Sequence, residues 1–169
     1  MSSSIPEPPP DILTAAVITV SDSSIRGERA DLSGPAVAEA LRKQKFSIVG
    51  TEIVPDEQPS IQDAILKWST QARLVVTTGG TGIAERDVTP EATRAVCERV
   101  LEGVAERMRA EGAKKTMFAA LSRGVCGVRG KALILNLPGS PKGAVESLES
   151  VVGLLPHALQ LLGGDTRHG

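Results

Sequence analysis

The chain has no tyrosine, and its three aromatic residues, Phe46, Trp68 and Phe118, are scattered along 169 positions. That excludes a platform for stacking nucleic-acid bases. A formal net charge of −1 leaves no basic excess to neutralise a phosphate backbone. Nucleic acid is therefore not an expected partner. Two cysteines, Cys97 and Cys126, make neither a disulfide framework nor a zinc spacing, and read as small buried apolar thiols. The two histidines, His157 and His168, are too few and too separate for a histidine metal site or a Cys/His nucleophile pair. No stretch approaches the roughly 20 apolar residues of a membrane span. The opening MSSSIPEPPPD lacks the basic start and apolar core of an export signal. These absences lead to the expectation of a cytoplasmic protein with no membrane contact. Its chemistry must rest on carboxylates, hydroxyls, basic side chains and backbone amides.

What is present is a chain of one-domain length that is 41% hydrophobic, enough for a proper core. The Pro/Ser-rich residues 1–11 are expected to form a disordered arm, and residues 12–165 a single domain. ILTAAVITV at 12–20 is nearly all apolar and rich in β-branched residues, as a strand buried on both faces must be. Strands are also expected over 46–54, 74–78, 124–129 and 131–137. Helices are expected from a Ser33 cap, from a Ser60 cap, from a Thr89 cap, over 99–123 with a break at Gly112, and over 142–162 with an irregularity at Gly153 or Pro156. Apolar strands alternating with helices argue for an α/β fold, a mostly parallel sheet covered on both faces. In such folds ligands bind beyond the carboxyl ends of the strands. The loops after Val20, Val54, Thr78 and Leu137 should therefore converge on one edge.

Those loops carry the chemistry. TTGGTG at 77–82 can approach a ligand closely through its glycines and offer successive amides to an anion. It is not a Walker A loop, because no Lys-Ser/Thr follows, and its spacing is not that of a dinucleotide fingerprint. Asp87 lies just before the next helix. A carboxylate beside an anion site makes sense when a divalent cation lies between them. The second-strand loop PDEQ supplies Asp56, and the first-strand loop supplies Ser21 and Asp22. The last loop, Pro138-Gly139-Ser140-Pro141-Lys142, is a Gly/Ser turn opening a helix, and can hold a second phosphate.

Taken together, TTGGTG, ERDVTPEAT, PDEQ and LSRGVCGVRGKALILNLPGSPKG resemble the molybdopterin adenylyltransferase family, of the MogA/MoaB type and related to the gephyrin G domain. The resemblance runs from about Ala15 to Leu162. It implies a three-layer α/β/α sandwich, usually a homotrimer. It also implies an Mg2+-dependent nucleotidyltransferase that transfers AMP from ATP to molybdopterin and releases pyrophosphate. By this resemblance Asp56 and Asp87 serve the metal and the reacting phosphates. Gly79, Gly80, Thr81 and Gly82 line the nucleotide phosphates, and Ser21 and Asp22 match the family's SD pair. Ser122 and Pro138-Gly139-Ser140 shape the pterin-phosphate side. The resemblance leaves open whether the product passes to a molybdenum-insertion enzyme or serves a tungsten pathway. Two other readings stay open: a MoaB-type molybdopterin carrier without transferase activity, and a nucleotide pyrophosphatase of the kind related to competence-damage proteins.

Overall fold

The computed structural model describes residues 12–164. The arm expected at 1–11, residue 165 and His168 lie outside the described residues. The strands are β1 (Thr14–Val20), β2 (Ser47–Val54), β3 (Leu74–Thr78), β4 (Arg99–Val100), β5 (Cys126–Arg129) and β6 (Ala132–Leu137). The helices are α1 (Asp22–Ile25), α2 (Ser33–Lys43), α3 (Gln58–Ser69), α4 (Thr89–Val96), α5 (Glu102–Ala113), α6 (Pro141–Val151) and α7 (Leu155–Leu162). Short 3-10 turns occupy Met117–Leu121 and Val152–Leu154.

The sheet order is β2-β1-β3-β6-β5-β4. The first four strands are parallel and the β6-β5-β4 edge is antiparallel. Alternating side chains divide the core in two, as strand pleating requires. Ala15, Val17, Leu74, Val76, Leu133 and Leu135 face α2, α5, α6 and α7, through Val37, Leu41, Met108, Leu148 and Leu159 among others. Ile18, Val75 and Ile134 face α3 and α4, through Ile61, Ile65, Ala92 and Val96. The result is the expected three-layer α/β/α arrangement. Each fully buried Leu or Ile in it is worth about 1.5–3 kcal/mol of transfer free energy.

Register brings the strand ends together. Val20 pairs with Val54, Thr19 with Thr78, and Thr78 with Leu137. The four loops singled out in the sequence therefore leave the same edge. The connections from β1 and β3 diverge there, because α2 returns to β2 on one side of β1 while β3 lies on the other. That is where an α/β sheet opens a crevice.

Local expectations fail where a tertiary partner outbids a local one. Ser33 is not a cap but the first residue of α2, and its hydroxyl pairs with Thr78 Oγ1 at 2.8 Å. Asp31 instead accepts the Gly34 N–H at 3.0 Å. Helix α3 starts two residues before Ser60, with Pro59 in its first turn. Thr89 opens α4, and its hydroxyl donates to the Gly79 carbonyl at 2.9 Å. The helical stretch expected over 99–123 with a break at Gly112 is three elements, and α5 ends at Ala113, beside that break. Glu98 donates to Val128 O and Leu101 to Cys126 O, which draws 99–100 into the sheet. Thr116 then caps a separate 3-10 turn. The irregularity expected at Gly153 is present as the turn between α6 and α7.

One buried polar side chain ties these layers below the loops. Asn136 accepts the Val125 N–H through Oδ1 at 3.1 Å and donates to Thr77 Oγ1 at 3.0 Å and Thr93 Oγ1 at 2.9 Å. Asn136→Ala leaves all three without that partner and opens a small cavity. Its unfolding free energy in urea is expected to fall by about 3 kcal/mol.

Candidate active site

The predicted loops enclose a cleft of about 570 Å³ at the carboxyl edge of the sheet. Ser21, Asp22, Asp56, Gly79, Gly80, Asp87, Gly139 and Ser140 all line it. Thr81 is buried behind the same loop, and Thr81 and Gly82 do not line the cleft. Ser122 and Pro138 line a second cleft of about 460 Å³ between α5, α6 and the Met117–Leu121 turn. Ser140 borders both.

The glycine turn has its shape because nothing larger fits. Gly79 and Gly80 have φ of +96° and +70°, a region that L side chains rarely adopt. A Cβ on Gly79 would collide with the Val20 carbonyl, and one on Gly80 with the Thr89 hydroxyl. A Cβ on Gly139 would lie 3.3 Å from the Gly79 Cα, so the last loop packs directly on the glycine turn. Gly79 N–H donates to Leu137 O at 3.0 Å. The amides of Gly80, Thr81 and Gly82 donate to no acceptor among the described residues. Successive unused donors of this kind are what an anion satisfies.

The carboxylates are held by different partners. Asp22 and Asp56 clasp each other: Asp22 N–H donates to Asp56 Oδ2 and Asp56 N–H to Asp22 Oδ1, each at 2.9 Å. Arg86 forks onto Asp22, with Nε to Oδ2 at 2.6 Å and Nη2 to Oδ1 at 3.0 Å. These contacts, the Arg86 hydrogen bond foremost, hold the Asp22 carboxyl below its ordinary value. Asp56 moves the other way. Burial pushes its carboxyl up, and the nearby negative charges of Asp22 and Asp87 add to the shift. Its Oδ1 points at Gly80, 3.3 Å from where a Cβ would stand. Asp87 is fixed by its own loop: Oδ2 accepts the Ala84 N–H and its N–H donates to Ala84 O, both at 3.0 Å. Ser21 caps α1, accepting the Ser24 N–H at 3.1 Å, and Ser140 caps α6, accepting the Gly143 N–H at 3.1 Å.

Two residues here went unassigned in the sequence. Arg86 sits inside the quoted ERDVTPEAT motif. Its one available signal was being a cation amid three carboxylates. Arg123 follows Ser122 and binds the far side of the glycine loop, through Gly82 O and Asp87 O. Nothing in its spacing points to those partners.

Residues 16–157 match the family described as a probable molybdopterin binding domain. The chain belongs to that family. It is 43% identical over 153 residues to a molybdopterin adenylyltransferase of Helicobacter pylori, covering 88% of this chain and 87% of that one. It is also 43% identical over 157 residues to the Drosophila melanogaster molybdenum cofactor synthesis protein cinnamon. That match covers 90% of this chain but spans 26% of cinnamon's length. Among solved structures, the molybdopterin biosynthesis enzyme MoaB of Thermus thermophilus superposes with a TM-score of 0.85 at 52% identity. There the match covers 90% of this chain and 97% of the MoaB chain.

The glycine turn leaves no room for a side chain at Gly80. Gly80→Ala must strain a left-handed backbone and displace Thr89 from the start of α4. It is expected to cost about 1–3 kcal/mol in a denaturation experiment.

Proposed function

We propose that this member of the molybdopterin-binding family is a molybdopterin adenylyltransferase acting in molybdenum cofactor biosynthesis. The carrying observation is the first cleft. Two separately anchored carboxylates, Asp56 and Asp87, line it with Gly79 and Gly80, and the turn's amides at 80–82 have no acceptor among the described residues. The Helicobacter pylori adenylyltransferase, matched over most of both chains, supports the choice of reaction.

The reaction class suits these residues. The terminal phosphate oxygen of molybdopterin attacks the α-phosphate of ATP, and pyrophosphate leaves with the electron pair of the broken P–O bond. The substrate supplies the nucleophile, so the protein's task is alignment and charge stabilisation. The glycine turn binds the triphosphate where Gly79 and Gly80 border the cleft. Ser122, Pro138, Gly139 and Ser140 shape the pterin side. The second cleft, with Met108, Phe118 and Ala119 in its lining, suits a flat heterocycle. Because Ser140 borders both clefts, the reacting phosphates meet there.

Asp56 and Asp87 fit a magnesium ion by donor chemistry: hard oxygens, with Asp56 Oδ1 turned toward the phosphate loop. Among the described residues no group of three or more His, Cys, Asp or Glu could hold a metal. Two carboxylates completed by phosphate oxygens and water are the arrangement magnesium commonly takes. The ion would offset charge on the phosphates as the leaving pyrophosphate forms. Asp22 is committed to Arg86 and Asp56, so its part is support.

The reading extends to a cytoplasmic homotrimer that hands its product to a molybdenum-insertion enzyme. Exposed apolar side chains support self-association. Ile83 and Phe118 are each 70% exposed and Met117 is 78% exposed. Use of ATP supports the compartment, and among the described residues no helix is long and apolar enough to cross a membrane.

The test is pyrophosphate release from ATP and molybdopterin. Asp56→Ala and Asp87→Ala should each lower turnover by at least about 100-fold while changing molybdopterin binding little. Near-normal transfer in either variant would sink the metal assignment. Molybdopterin binding by the wild-type protein without pyrophosphate would point to the carrier, and hydrolysis of ADP-ribose without pterin to the pyrophosphatase.

The pH profile tests Asp56 separately. Its carboxyl must ionise to bind a cation, and its pKa is raised in the free protein. Activity should therefore fall as pH drops through that raised value. The acid limb of kcat/KM, which reports the free enzyme, should lie above the ordinary aspartate value of about 3.9.

A further inference from the structure

Arg123 makes an unusual set of contacts with one loop. Its backbone N–H donates to Thr81 O at 2.8 Å. Its Nε donates to Gly82 O at 2.8 Å and its Nη2 to Asp87 O at 2.7 Å. Its Nη1 reaches both carboxylate oxygens of Glu91 on α4, at 2.7 and 2.9 Å. The bonds at Thr81 and Gly82 grip the loop where it leaves the glycine turn. The bond at Asp87 grips it where it re-enters the site. Glu91 sets the plane of the guanidinium, and charge-assisted bonds of this kind are stronger than neutral ones. Of these residues Asp87 lines the cleft, whereas Arg123, Thr81, Gly82 and Glu91 do not. Arg123 holds the loop from behind.

We propose that Arg123 is the positioning residue of the nucleotide site: it sets the separation between the amides at 80–82 and the Asp87 carboxylate by clamping the two ends of the 82–87 loop. This rests on the adenylyltransferase reading for what the loop binds, but not for what holds it. A planar fork is needed, because the acceptors Gly82 O, Asp87 O and Glu91 lie in three directions around one group. A lysine ammonium at that position could serve one or two of them but not the set.

Arg73 is a matched control. It clamps two backbone carbonyls as well, Lys131 O through Nε at 2.9 Å and Leu159 O through Nη2 at 3.3 Å. It does so just before β3, at the opposite edge of the sheet from the cleft. Losing either clamp should cost stability, whereas losing Arg123 alone should disturb the loop.

The experiment compares Arg123→Met, Arg123→Lys and Arg73→Met with the wild-type chain, using thermal unfolding, amide hydrogen exchange, ATP calorimetry with magnesium, and steady-state transfer. In both Arg123 variants, exchange at residues 80–87 should quicken by about tenfold or more, the equivalent of a lost charge-assisted bond. ATP Kd should rise by about tenfold for the same reason. Turnover should fall by about 100-fold, as a displacement near 1 Å can produce. Arg73→Met should lose thermal stability and show none of these three changes. Unchanged loop exchange in Arg123→Met, effects equal to those of Arg73→Met, or full recovery with lysine would each overturn the proposal. A wild-type chain that binds no ATP would overturn the adenylyltransferase reading instead, and the exchange comparison would still decide whether Arg123 holds the loop.

Discussion

Asp22, Asp56 and Asp87 bring like charges to one edge of a parallel sheet, and the site depends on how that repulsion is distributed. Asp22 is paired with the Arg86 fork, yet its charge still adds to the upward shift at Asp56. What it contributes is position, because its backbone and carboxylate both engage Asp56. Asp87 is tied to its own loop through Ala84. Asp56 carries the remaining strain as a raised carboxyl pKa, with burial as the chief cause. Repulsion of this sort is what a nearby positive charge relieves.

The sheet makes this gathering possible. Strands β1, β2, β3 and β6 end level with one another, and the paths from β1 and β3 part at that edge. A loop leaving β3 there must pass hard against the end of β1. That is why Gly79 meets the Val20 carbonyl and why a side chain cannot stand at that position. Gly139 meets the same turn from the β6 side. Two glycines from distant stretches thus let three strand ends close on one point. The hydroxyl of Thr89 and the guanidinium of Arg123 then hold the loop they create.

Much of this was readable from the residues alone, and the failures have a common cause. Uniformly apolar runs identify β1 and β3, and the rule for parallel sheets brings Ser21, Asp56, Gly79 and Ser140 to one edge. Ser33 and Thr89 were misread as caps because a hydroxyl beside a helix start normally serves that helix. Here each serves a residue far along the chain, Thr78 and Gly79 respectively. The 99–123 segment looked helical because its pattern is helical locally, but hydrogen bonds from Glu98 and Leu101 to β5 take its start into the sheet. Arg86 and Arg123 escaped because their partners lie 64 residues away at Asp22 and 41 at Gly82. Periodicity and capping carry no information at that range.

The two clefts are not independent cavities, and Asn136 shows why. Its amide joins β3 through Thr77 to α4 through Thr93, and its Oδ1 holds Val125, just after the Ser122–Gly124 segment. That segment lines the second cleft through Ser122 and Gly124, while Arg123 between them grips the loop of the first. Ser140 closes the boundary from the other side, with its hydroxyl turned back to cap α6. A displacement of Ser122 in the second cleft must therefore move Arg123 or break its bonds to Gly82 and Asp87. Transfer between two bound phosphates requires their separation to be set by the protein rather than by the substrates. Here a continuous path of hydrogen bonds, from Asn136 through the backbone to Arg123 and Asp87, fixes one cleft against the other.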